Sequence, residues 1–130
     1  MPQRLASCSC GQLSLLCDGD PDSVSLCHCL ACQKRTGSTY GIAAFYSGNR
    51  VAIRGDSSDY VRPSDSGHDV AFHFCLHCGS TVYWLPARKP GMIAVATGSF
   101  ADPDFPAPTQ DVHRAHRHPW VTAIFPIPKD

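Results

Sequence analysis

Short apolar runs broken by glycine and proline dominate the chain of 130 residues. Residues 12–17 set Leu13, Leu15 and Leu16 among polar neighbours after Gly11, the pattern of a strand leaving a tight turn. Asp18-Gly19-Asp20-Pro21-Asp22 reads as a turn. Val24-Ser25-Leu26 alternates into a cysteine-rich stretch, and an extended chain there would deliver Cys27 and Cys29 to one face. Gln33-Lys34-Arg35-Thr36 before Gly37 predicts one helical turn with a glycine stop. Residues 39–46 and 50–54, separated by Gly48-Asn49, predict a hairpin. Asp56-Ser57-Ser58 breaks it, Tyr60-Val61 is a short piece, and 63–67 is a loop.

Residues 69–74 and 81–85 read as strands on either side of a second cysteine pair. Residues 92–98, a continuous apolar run between Pro90-Gly91 and Gly98, are the best candidate for a central buried strand. Pro103, Pro106 and Pro108 make 102–110 an extended loop, and Pro126 and Pro128 bar a helix from the tail after residues 120–124. About ten short strands without a convincing amphipathic helix predict a mostly-β fold of short antiparallel strands in one domain, 1–130.

Charge narrows the partners. Eleven basic residues balance eleven acidic ones, and only His113-Arg114-Ala115-His116-Arg117-His118 is locally cationic, so a nucleic-acid footprint is not expected. No window approaches the roughly 20 apolar residues of a membrane span, and residues 1–6 lack a signal-peptide core. The expected location is the cytoplasm. In a reducing compartment, clustered cysteines are more often metal ligands or redox centres than disulfides.

Seven of the eight cysteines lie in short clusters: Cys8-Ser9-Cys10, Cys27-His28-Cys29-Leu30-Ala31-Cys32 and Cys75-Leu76-His77-Cys78. Cys8, Cys10, Cys75 and Cys78 suffice for a closed structural zinc, with Gly11 and Gly79 suited to knuckle turns. Cys27, Cys29 and Cys32 supply only three thiols, and three protein ligands with an open fourth position is the coordination expected of a catalytic zinc. Such a sulfur-rich ion suits a substrate thiolate better than a strong hydroxide.

Two other completions stay open for the triplet. Cys17 could be a fourth ligand or a buried core residue, the reading we favour. A histidine could instead close a second structural site; knuckle geometry limits His28 and His77, and His73 is better placed, although a histidine between Phe72 and Phe74 is more often packed and hydrogen-bonded. His113 and His116 are candidates for proton transfer or anion binding, and Lys34 and Arg35 for a substrate carboxylate.

The ordered motifs resemble those of the glutathione-dependent formaldehyde-activating enzyme family, which includes the centromere protein V type of domain. They are Cys8-Ser9-Cys10-Gly11, the run from Cys27 through Cys32 to Gly37, Phe74-Cys75-Leu76-His77-Cys78-Gly79-Ser80, Gly98-Ser99-Phe100-Ala101-Asp102-Pro103 and His118-Pro119-Trp120. The resemblance implies a β-tent-like fold stitched by zinc, one structural ion on Cys8, Cys10, Cys75 and Cys78, and a labile one on Cys27, Cys29 and Cys32. It also implies a carbon–sulfur lyase activity that joins glutathione and formaldehyde into S-(hydroxymethyl)glutathione. The chain carries Lys34-Arg35 where the family often has paired arginines, and Arg117-His118-Pro119-Trp120 where serine-lysine-x-proline-tryptophan is common.

The leading expectation is therefore an enzyme that binds a small thiol at the triplet zinc and adds it to, or releases it from, a small carbonyl. The competitors are a zinc-stabilised protein-binding module with two closed sites, and redox or metal buffering by the triplet. A monomer and a homodimer are both compatible with the sequence.

Overall fold

The computed structural model describes residues 2–63 and 67–121. Its strands are β1 (Gln3–Ser7), β2 (Ser14–Asp18), β3 (Ser23–Cys27), β4 (Gly41–Ser47), β5 (Val51–Arg54), β6 (Ser57–Pro63), β7 (Asp69–Cys75), β8 (Thr81–Pro86), β9 (Met92–Ala96) and β10 (Gln110–Val112). The α-helix among these residues is α1 (Leu30–Thr36), so the mostly-β expectation holds. No helix among the described residues is long and apolar enough to cross a membrane. The predicted segment 120–124 lies largely outside the described residues, as does the Pro126–Pro128 tail.

A three-stranded sheet runs β1-β2-β5, and a seven-stranded sheet runs β10-β3-β4-β9-β8-β7-β6. The pairings are antiparallel except that β10 lies parallel to β3. β9 occupies the middle of the larger sheet, as its continuous apolar run predicts, with Ala94 and Val95 fully buried. Ala6, Leu15 and Cys17 from the smaller sheet, with Leu13 just before β2, pack in one core with Tyr46, Val82 and Val95 from the larger. Cys17 is fully buried there, and burial pushes its thiol up to about 11 against a weaker opposite pull from Arg50. The core reading of this cysteine is correct.

The hairpin expected over 39–54 does not form. β4 and β5 belong to different sheets, because residues Gly48–Arg50 make a 3-10 turn that sends the chain across. Contacts from both directions hold the turn: the Gly48 N–H donates to the Gly91 carbonyl at 2.8 Å, and Arg50 donates to the Asp18 carbonyl, through Nε at 3.1 Å, and to Asp22 Oδ1 at 2.7 Å. Gly48 fits the close approach: a Cβ there would stand 3.1 Å from that Gly91 oxygen, which would have to shift by a few tenths of an ångström.

Four further elements differ from expectation. β1 was not anticipated, and β6 is a seven-residue strand rather than a short piece at Tyr60-Val61. The proline-rich loop ends in β10, whose Val112 pairs with Cys27. α1 starts three residues earlier than predicted, since the Cys29 sulfur caps it by accepting from the Cys32 N–H at 3.3 Å. Gly37 ends it in the left-handed conformation, φ 73°, as predicted.

Candidate metal centres

β1 leads into the first knuckle and β7 into the third, so the two sheets bring Cys8 and Cys10 against Cys75 and Cys78. The four sulfurs lie within 4.8 Å of one another. Sulfur–sulfur separations are 3.7 Å for Cys8–Cys10 and 3.6 Å for Cys10–Cys75. A tetrahedron with Zn–S bonds of ~2.3 Å has edges of about 3.8 Å, so the donor set fits zinc in both chemistry and spacing.

The backbone turns inward at these sulfurs, as the knuckle reading requires. The Leu13 N–H donates to Cys8 Sγ and the His77 N–H to Cys75 Sγ, both at 3.3 Å. Gln12 Nε2 donates to Cys75 Sγ at 3.2 Å, and Gln12 Oε1 accepts from the Asp56 N–H at 3.0 Å, which locks the cluster to the approach of β6. Ser80 joins the two knuckles: it receives the Ser9 N–H at 3.3 Å and lies 3.5 Å from Cys78 Sγ. The Ser80 side chain and then its backbone N–H hold Cys78 down to about 5, the thiolate form that a metal requires. Gln12 and Ser80 carried no sequence signal beyond their place beside a cysteine.

The triplet is built differently. Cys27 ends β3, Cys29 caps α1 and Cys32 sits in its first turn, so one reversal of the chain gathers three sulfurs within 4.8 Å. Among the described residues no further cysteine, histidine or carboxylate completes the group. All three cysteines are half-buried, and α1, which carries one of them, buries none of its own residues. Hydrogen bonding from the Cys27 thiol is the main force pulling Cys32 down to about 5; burial opposes it, while Cys29 and the Arg35 guanidinium add to it. Cys27 is pushed up, first by the same bond to Cys32 and then by burial. Arg35 thus stands beside the group and favours negative charge within it.

Arg35 is pinned rather than loose. Its guanidinium lies 4.2 Å from the Trp84 ring centroid and 5.4 Å from that of Phe72. Gly41 leaves room for it, since a Cβ there would stand 2.8 Å from Arg35 Nη2 and 3.4 Å from Cys32 Cβ. Lys34, one residue back, is exposed on the same helix.

The histidines sort clearly. His28 is 1% exposed and points away from the sulfurs, with Nε2 2.5 Å from Asp111 Oδ1 on β10, so it anchors the knuckle instead of joining it. His73 stacks on Tyr83 and meets Ser57 Oγ at 2.9 Å through Nδ1, the packed reading rather than the ligand one. His113 and His116 are exposed, at the end of β10 and in the 3-10 turn that follows it. His118 is the histidine tied to α1: its Nε2 lies 2.9 Å from Gln33 Oε1, and Gln33 Nε2 donates to the His28 and His116 carbonyls.

A cleft of about 450 Å³ separates the two centres, lined by Arg35, Tyr40 and Gly41 on one side and by Gly79, Ser80 and Thr97 on the other. The Thr97 hydroxyl is buried without a hydrogen-bond partner in the protein.

Two cysteine groups, the first of them bridging the two β-sheets, define a cysteine-rich β domain whose clusters could hold metal ions. The profile described as glutathione-dependent formaldehyde-activating enzyme matches residues 3–116, and the chain belongs to that family. The match spans all eight cysteines and stops before His118. No curated protein matches the chain significantly. Among solved structures, a crystal structure of a Rhodobacter sphaeroides protein is similar at 18% identity and a TM-score of 0.57, covering 73% of this chain and 85% of that one. That likeness concerns the fold.

Proposed function

We propose that the chain, as a single domain over 1–130, is a zinc-dependent carbon–sulfur lyase-like enzyme. It joins a small thiol, glutathione or a close relative, to a small carbonyl such as formaldehyde, or releases the two. The observation that carries this reading is the triplet: three sulfurs gathered within 4.8 Å with no fourth ligand among the described residues.

In this reading Cys8, Cys10, Cys75 and Cys78 hold a structural zinc, and Cys27, Cys29 and Cys32 hold a labile one. At the triplet the ion would supply positive charge that lowers the substrate thiol's pKa and keeps its thiolate positioned for attack. The protein's own groups do the rest. Arg35, its ring face held by Trp84, presents its N–H edge to a substrate carboxylate. Gly79 and Gly98, which face open space, leave room for a peptide backbone in the cleft between the centres. Thr97 lines the same cleft. Addition forms the carbon–sulfur bond, opens the carbonyl π bond and moves the thiol proton to the carbonyl oxygen. His113 or His116 carries that proton, a role suggested by Val112, their neighbour on β10, pairing with Cys27. Free cysteines throughout the described chain suit a reducing compartment, and we place the enzyme in the cytoplasm, acting on small molecules rather than on nucleic acid or membrane.

Metal stoichiometry and sulfur coordination by X-ray absorption, with and without glutathione, test the reading. The expected result is two zinc ions per chain, one of which gains a fourth sulfur when glutathione is added. Two four-sulfur sites unmoved by any thiol would replace the enzyme with a zinc-stabilised binding module.

A further inference from the structure

On the other side of Arg35 lies a second cleft, about 530 Å³, between α1 and the face of β6, β7 and β8. Its shape follows from register. Tyr60 pairs with Phe72, and Phe74 with Thr81, so alternate residues of three neighbouring strands line one wall. Leu30, Ala31, Lys34 and Arg35 of α1 form the other wall, at helical spacing.

Two properties of this cleft stand apart from the thiol site. It leaves apolar surface uncovered: Leu30 is 54% and Tyr60 61% exposed, and α1 hangs over the sheet without burying a residue. Its charged lining is also of one sign, with Lys34, Arg35 and Arg62 and no acidic side chain. Ion pairs among the described residues engage Arg4, Arg50, Arg114 and His28, none of which lines the cleft. The Arg35 and Arg62 guanidiniums both rest near the Phe72 ring, 5.4 and 5.3 Å from its centroid. Stacking on a ring occupies the face of a guanidinium and turns its N–H edge to a planar acid; Arg35 shares that edge with Cys32.

We propose that this cleft is a binding site for an amphiphilic carboxylate, an aryl or medium-chain acid whose carboxylate sits on Arg35 and Arg62 and whose apolar body lies against Phe74 and Leu30. Formaldehyde has a single carbon and no charge, so it makes no use of such a space. The site does not rest on the thiol reading, since neither sulfur nor metal enters it. Arg35 is nevertheless common to both clefts, which places the acid next to the triplet.

Titration calorimetry on the zinc-loaded full chain tests the site with 4-phenylbutyrate, against 4-phenylbutanol and acetate as controls. The acid should bind at least about tenfold more tightly than either control, because only it satisfies both the cations and the apolar wall. Arg62→Gln and Phe74→Ala should each weaken phenylbutyrate about tenfold, with melting temperature and zinc content unchanged. Equal affinity for acid and alcohol would overturn the proposal, as would undiminished binding by both variants. Glutathione competes through the shared Arg35 in any case, but displacement as strong in Arg62→Gln as in wild type, together with undiminished binding of the acid by Phe74→Ala, would place the acid on the thiol's side of Arg35 and overturn it too.

Discussion

The two cysteine groups use the same donor atom to different ends. Around Cys8, Cys10, Cys75 and Cys78 the protein adds donors from Leu13, His77 and Gln12 to the sulfurs and closes the seam between knuckles through Ser80. Around Cys27, Cys29 and Cys32 it supplies a cap bond from the Cys32 N–H, one arginine and a helix with no buried residue. The first group joins distant parts of the chain; the second is local to six residues. A metal centre can therefore be essential to a fold or free to be incomplete, depending on how much chain it closes.

The sharpest way to break this contrast is to remove one ligand from each group. Zinc binding at small structural sites carries roughly 10–16 kcal/mol, against a whole-domain stability of ~5–15 kcal/mol. Cys75→Ser should therefore abolish cooperative unfolding by calorimetry, and so should strong chelation. Cys29→Ser should leave the thermal transition within a few degrees, lose one zinc by elemental analysis and reduce thiol–carbonyl turnover at least ~100-fold. If both variants unfolded alike, the triplet would also be structural.

Gly41→Ala is a finer probe, because it displaces Arg35 and meets Cys32 only at ordinary contact distance, 3.4 Å from its Cβ. Its Cβ would meet Arg35 Nη2 at 2.8 Å and must move the guanidinium. A charged hydrogen bond contributes about 1.5–3 kcal/mol, so KM for glutathione should rise by roughly tenfold or more while zinc content holds. An unchanged KM would remove Arg35 from the thiol's contacts.

Much of the metal chemistry was legible because knuckles are local: two cysteines spaced by one or two residues predict a turn whatever surrounds them. β9 was legible for a similar reason, its apolar run being continuous and bounded by glycine. What failed was nonlocal. Gly48-Asn49 resembles a hairpin turn, yet the contacts that reroute it come from Gly91 and Asp18, far along the chain. β1 buries only Ala6, and β6 lies at the edge of its sheet with few buried positions, so neither shows the alternation that marks a strand. β10 is three residues long and owes its existence to β3. In the site, Lys34-Arg35 could be singled out as a pair of charges, but only Trp84 and Gly41 distinguish the pinned Arg35 from the exposed Lys34. His28 lies inside a cysteine motif and yet faces Asp111, which nothing in its spacing foretells.

Cys17 extends the comparison to a thiol with no metal role. Its raised pKa has a definite sign: burial favours the neutral thiol in the folded state, so its contribution is intact below the ordinary value of 9.0 and is lost as pH rises towards about 11. Alkylation at pH 8 after zinc removal from the triplet should label Cys27, Cys29 and Cys32 and spare Cys17 until the chain unfolds. Rapid labelling of Cys17 in the native protein would contradict its place in the core.

The smallest effect is expected at the cationic segment. His113 and His116 are exposed, whereas His118 is held to Gln33 and through it to the His28 carbonyl at the triplet. General acid–base assistance contributes ~100- to 10,000-fold when the group is positioned, but an exposed side chain is readily replaced by water. His113→Ala and His116→Ala should each lower turnover less than ~10-fold, and the pH–rate profile should lose a limb only in the variant whose histidine carries the proton. His118→Ala should instead loosen the strap over α1, weakening zinc at the triplet without altering that profile. Should the profile change with His118 alone, the proton path runs through Gln33's partner, and the exposed pair is only a solvated edge.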